Sequence, residues 1–108
     1  MSTSSHDVDC LIRQKTDEEL SRLVIAVAMH EENFAFAEAV CLRLAESKEA
    51  TVRGNAILGF GHIARRAKTV IEEKRARALI DAGMKDKSEY VRGQAVSASD
   101  DVTFFISR

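Results

Sequence analysis

Proline and tryptophan are missing from this chain of 108 residues, and aromatic side chains make up only 6% of it. Proline breaks helices by removing a backbone donor and blocking the preceding turn. Its absence, together with little alternation of Val, Thr and Tyr, points to helix throughout. Cys10 and Cys41 lie far apart and fit no CxxC spacing. That argues against a disulfide framework or a zinc site, and for small buried apolar residues of a cytosolic protein. No apolar run approaches the ~20 residues needed to span a bilayer. The opening Met-Ser-Thr-Ser-Ser-His-Asp lacks the basic and apolar parts of a secretion signal, so the expected compartment is the cytoplasm. A nucleophile elbow, a phosphate loop and an HExxH pair are also wanting, since His30-Glu31-Glu32 has no second histidine. The expectation is a protein that is not an enzyme and takes no metal or cofactor.

What is present is 45% hydrophobic and 31% charged, with a net charge of −1. That suffices for one domain over residues 1–108, burying roughly two thirds of its unfolded surface, with residues 1–7 polar and loose. Charge is unevenly spread. Residues 1–49 hold five basic and ten acidic side chains, whereas residues 50–108 hold eleven and seven. A chain polar along its length can orient a charged partner.

Periodicity divides the chain into helices joined by short polar turns. Val8 to Gln14 forms a first short helix. Thr16-Asp-Glu-Glu19 has the form of a capping box, opening a helix to about Met29 with Leu20, Leu23, Val24, Val27 and Ala28 as its apolar stripe. A helix from Phe34 to about Glu46 follows, then one from Ala50 to Ala67. In that last helix Gly54, Gly59 and Gly61, each up to about 1 kcal/mol worse than Ala, signal the close approach of a neighbouring backbone. The next helix is expected over 69–82, with Ile71 and Ala78 inward and Gly83 as a left-handed terminator. Ser88 caps a last helix over 89–100, and Ser99, Asp100 and Asp101 set off residues 102–106 as a separate short element.

The stretch 42–64 is echoed later. Val52-Arg53-Gly54-x-Ala56 and Val91-Arg92-Gly93-x-Ala95 stand thirty-nine residues apart, and the same register pairs Ile57 with Val96. A period near forty marks a helical repeat array. With Phe60-Gly61 and Ile63 completing the pattern, the stretch resembles a HEAT repeat. The resemblance covers roughly residues 16–102 and implies an all-α solenoid of about two and a half antiparallel helix pairs. It also implies an Asp six residues before the Arg, the two forming a ladder between repeats. Asp86 and Arg92 have that spacing, but Ser47 takes the Asp slot in the middle copy. Arg53 and Arg92 are therefore read as structural.

In such an array the second helix of each pair lines an inner face. The frame places Arg22, Leu23, Ala26 and His30 there, followed by Asn55, Leu58 and His62, then Gln94, Ser97 and Asp101. His30, His62 and Asp101 share a slot, but neighbouring helices about 8–10 Å apart keep slot-mates from meeting at one atom. The expected partner-binding residues are Arg22, His30, Asn55, Leu58, His62, Gln94, Ser97, Asp100 and Asp101, with Phe104 and Phe105 as aromatic anchors. A very small HEAT array without a catalytic set resembles the helical-repeat immunity proteins that accompany polymorphic or contact-dependent toxins. The implied partner is then a cognate toxin, such as a nuclease, whose active site this chain covers. Two other readings stay open. One is nucleic-acid binding by Arg65, Arg66, Lys68, Lys74, Arg75 and Arg77, although that stretch lacks aromatics to stack on bases. The other is a scaffold or regulatory subunit that self-associates through residues 104–106.

Overall fold

Thr16 shows how local chemistry can start a helix. Its hydroxyl accepts from the Glu19 N–H at 3.1 Å, and the Glu19 carboxylate accepts from the Thr16 N–H at 2.9 Å. These bonds, the one from the Thr16 backbone foremost, hold the Glu19 carboxyl below its ordinary range. Asn33 and Ser88 cap two further helices by accepting from Phe36 N and Val91 N, and Glu49 caps another by accepting from Thr51 N. The computed structural model describes residues 5–106 and forms six helices among them. These are α1 (Ser5–Ile12), α2 (Asp17–His30), α3 (Phe34–Leu44), α4 (Ala50–Ala67), α5 (Glu73–Gly83) and α6 (Glu89–Phe105). No strand occurs among the described residues.

The helix α4 is the centre of the molecule, with α2, α3, α5 and α6 all packed against it. Asn55 near its start bonds to Ser21 near the start of α2, and Arg66 near its end bonds to Ala28 and Glu31, so α2 and α4 run parallel. Gly54 lies under Tyr90 and Gly61 under Asp101, so α6 runs parallel on the other side. A second layer runs the opposite way. Phe34 meets Arg66 and Cys41 meets Gly59, which sets α3 antiparallel to α4; α5 likewise runs antiparallel to α6, with its end at Gly83 against Val91 and Ala95 and the earlier Arg77 and Ile80 beside Ser99 and Val102. The extents of 36 × 34 × 20 Å give a slab about two helix diameters thick. Between the layers lies the core, with Phe60, Ile63, Val24, Val40, Val52, Val91, Val102 and Cys41 as its largest fully enclosed side chains.

The glycines of α4 are all contact points, but a neighbouring backbone approaches only at Gly61, while side chains fill the space at Gly54 and Gly59. A Cβ at Gly59 would stand 2.5 Å from Cys41 Sγ and 3.2 Å from Ala28 Cβ, and one at Gly61 would stand 3.2 Å from the Ala98 backbone. Gly83 departs from expectation: no described glycine has a positive φ, and Gly83 ends α5 as a helical residue. Its lack of a side chain makes room for Ile57, whose Cδ1 would be 2.9 Å from an added Cβ.

Of the two cysteines expected to be buried, Cys41 is enclosed but Cys10 is exposed on α1. Other boundaries are corrected as well. Helix α1 begins at Ser5, within the stretch expected to be loose, and residues 1–4 of that stretch lie outside the described residues. Residues 69–72 are not helical. Lys68 turns the chain with φ 61°, and the Ile71 and Glu72 N–H groups, each 2.7 Å from a carboxylate oxygen of Glu38, are held by α3. Ile71 is consequently 67% exposed, and Ala78 also faces out. At the other end α6 runs unbroken to Phe105. Asp100 points outward and Asp101 rests over Gly61, so neither carboxylate has to be buried for the helix to continue.

Candidate functional site

Arg53 and Arg92 make the thirty-nine-residue echo physical. Arg53 Nη1 donates to the Ser47 carbonyl at 2.9 Å, and Arg92 Nη1 donates to the Asp86 carbonyl at 2.8 Å, six residues back in each case. Ser47 and Asp86 also match, since their side chains accept from Glu49 N and Ser88 N respectively. Arg53 does more. Its Nε and Nη2 grip the Asp86 carboxylate at 2.8 and 2.9 Å, a two-point bond that ties α4 to the turn before α6. Both side chains are 15% exposed.

Hydrogen bonding to Arg53 holds the Asp86 carboxyl below its ordinary value. A lowered folded pKa means that this stabilisation is complete above the usual carboxylate range and fades as pH falls below about 4. In thermal melts at pH 7 and pH 3, Asp86→Asn should therefore lose less stability on acidification than the unaltered protein. Equal losses would show that the pair contributes nothing pH-dependent.

Of the expected site residues, Asn55 is the clearest correction. It is 4% exposed and faces its neighbours. Nδ2 donates to the Ser21 carbonyl at 3.1 Å, while Oδ1 accepts from the Tyr90 hydroxyl and, at 3.0 Å, from Gln94 Nε2. The amide thus links α2, α4 and α6 and has no edge left for a partner. Gln94, half-buried, belongs to the same network.

The remaining candidates reach the surface to differing degrees. Arg22 and His30 are exposed on α2, with Arg22 paired to Glu18 at 3.5 Å. Leu58 and His62 are half-buried on α4. Along α6, Ser97 and Asp100 are exposed, Asp101 is partly covered, and Phe104 is 74% exposed. Phe105 meets Phe104 edge-on at 4.8 Å, and Lys68 Nζ lies 4.4 Å above its ring.

His62 stands beside Arg65, whose Nη2 is 2.6 Å from its Nδ1. Burial and then Arg65 push the imidazole below its ordinary value, with Asp101 opposing them. The ring therefore accepts rather than donates near neutrality, and its protonation as pH falls through the lowered value works against the fold. Among the described residues no three His, Cys, Asp or Glu side chains converge to hold a metal ion. His30, His62 and Asp101, which the repeat frame assigns to one slot, form no such group.

The basic stretch is engaged within the molecule in part, with Arg65, Lys68, Lys74 and Arg75 still exposed. Arg66 donates to the Ala28 and Glu31 carbonyls, both at 2.7 Å, and lies over the Phe34 ring. Arg75 pairs with Glu46 at 3.4 Å, Arg77 with Glu73 at 2.7 Å, and Arg65 with Asp101 at 3.9 Å. No helix is long and apolar enough to cross a membrane among the described residues.

Sequence reasoning missed Glu38 as a special residue. It is 3% exposed, and nothing in Phe-Ala-Glu-Ala-Val marks it, because its partners are backbone donors beyond the end of α4. Neither a protein-family model nor a characterised protein nor a solved structure matches this chain.

Proposed function

We propose that this chain is a non-catalytic protein-binding module, a short array of HEAT-like helix pairs acting as an immunity protein that neutralises a toxin by covering its active site. One observation carries the binding reading. Of the five large hydrophobic side chains left exposed among the described residues, three (Tyr90, Val96 and Phe104) lie on α6, at 46%, 50% and 74%, while Met29 lies on α2 and Ile71 between α4 and α5. Ser97 and Asp100 stand exposed between them. Aromatic and aliphatic anchors interleaved with a carboxylate suit a protein partner whose own surface is basic, as the cleft of a nuclease would be. The nucleic-acid reading is the weaker one, because Arg66 is committed to the Ala28 and Glu31 carbonyls and the stretch has no aromatic side chain of its own to stack on bases.

The test is co-expression with the protein encoded directly upstream. Growth arrest by that protein alone, relieved by this chain, supports the immunity reading, and arrest that persists at equal expression overturns it. Phe104→Asp and Asp100→Lys, both at exposed positions, should each weaken the complex by about tenfold or more, with melting unchanged. Full affinity in both variants would place the partner on another surface.

A further inference from the structure

We infer that the outer side of the first half of α6 is a docking surface for a helix hairpin of another protein, one bearing a carboxylate in its turn and an aromatic ring four residues later. The argument comes from the interface that α4 already makes. On α4, Arg53 offers two donors to Asp86, Gly54 leaves a hollow with the Tyr90 ring 3.1 Å from where a Cβ would be, and Ile57 is covered to 2% exposure. The occupant of that surface is the hairpin of α5 and α6, which supplies the Asp86 carboxylate and the Tyr90 ring.

Thirty-nine residues on, α6 repeats the same set. Arg92 holds its own turn as Arg53 does, yet its Nε and Nη2 have no acceptor among the described residues. Gly93 has nothing within 4 Å of an added Cβ, and Val96, in the place of Ile57, is 50% exposed. A cation without its carboxylate, a hollow without its ring and an uncovered aliphatic thus stand in the register that α4 fills. Charge complementarity and continuity with the α4–α6 interface specify the missing piece. A second copy of the chain fits poorly, because its leading turn offers Gln14 and Lys15 where Asp86 would be. Asp100 takes the place of Gly61, whose bare backbone admits Ala98, so the docked helix diverges from α6 beyond Ser97.

This inference rests on the helix-pair reading and not on the toxin, and its test leaves the toxin out. The chain is extended by following residue 106 with a second copy of residues 68–108, which keeps the thirty-nine-residue period and offers α6 a hairpin of the stated chemistry. Val96→Cys in a Cys10→Ser background reports coverage by its labelling rate. Cys41 stays silent because burial, with Glu38 adding to it, pushes its thiol up to about 12. Extension should slow labelling of Cys at 96 by about tenfold or more, as for a site that must open to react. Arg92→Glu, or Asp86→Lys in the appended copy alone, should restore the rate. Unchanged labelling in the extended chain overturns the proposal, whether or not the added residues are helical. Protection of the unextended variant at high concentration, with a dimer in sedimentation, would put a second copy in the hairpin's place and overturn it too.

Discussion

Phe60→Ala should lower the free energy of unfolding by about 3–5 kcal/mol, against a total of roughly 5–15 kcal/mol for a domain of this size. Phe60 is fully enclosed and sits on α4, against which α2, α3, α5 and α6 all pack. The upper part of the range is expected because the walls of the cavity cannot close. Gly59 and Gly61 flank the position, and their neighbours are already so near that even a methyl group would collide, at 2.5 Å from Cys41 Sγ and 3.2 Å from the Ala98 backbone. A site held at its closest approach has no slack to relax into. Urea unfolding followed by circular dichroism measures the loss as a lower midpoint at constant slope. Phe104→Ala is the matched comparison: the same atoms are removed from a side chain 74% exposed, and the change should stay within about 0.5 kcal/mol. Similar midpoints for the two variants would mean that α4 is not the centre of the core.

That centre was visible in the sequence. Val52 and Val91, Ala56 and Ala95 share a spacing and are all wholly buried, because a repeated pattern of side-chain size is a direct imprint of repeated packing. The caps Thr16 and Ser88 were visible too, since a cap is satisfied within three residues of itself, whereas Asn33 and Glu49, which cap α3 and α4, read only as turn residues. Contacts made across the chain were harder to see. The HEAT frame turned Asn55 outward, yet its partners on α2 and α6 draw it in. The one available hint was that Asn55 and Gln94, both polar amides, are thirty-nine residues apart. Residues 69–72 have helical composition and are not helical, because a carboxylate on another helix takes the N–H groups of Ile71 and Glu72. Local propensity carries no record of such an acceptor. The break expected at Ser99 to Asp101 failed for a related reason: the bare backbone of Gly61 gives the Asp101 side chain a place to lie.

Glu38→Ala should be the most damaging change at a position the sequence does not single out, costing about 2–4 kcal/mol. The carboxylate is 3% exposed, and each of its oxygens accepts one backbone N–H at 2.7 Å. It therefore works as an internal cap, fixing the connection between α4 and α5 against α3. Truncation leaves both donors to find water and opens a void beside Cys41, whose thiol is kept protonated by burial and by Glu38. Glu38→Gln retains one accepting oxygen and brings an amide N–H₂ toward the second donor. It should lose about half as much, because one satisfied bond of this kind is worth about 1–2 kcal/mol. Two measurements separate a lost cap from a general loosening. Amide exchange at Ile71 and Glu72 should accelerate in Glu38→Ala well beyond the change at Val52 or Val91, since local opening there no longer breaks a charge-assisted bond. The midpoint in urea should then rank the unaltered protein above Glu38→Gln and Glu38→Gln above Glu38→Ala. If Glu38→Gln matched the unaltered protein, the carboxylate would be serving as filler rather than as an acceptor, and the non-helical run from Thr69 to Glu72 would need another cause.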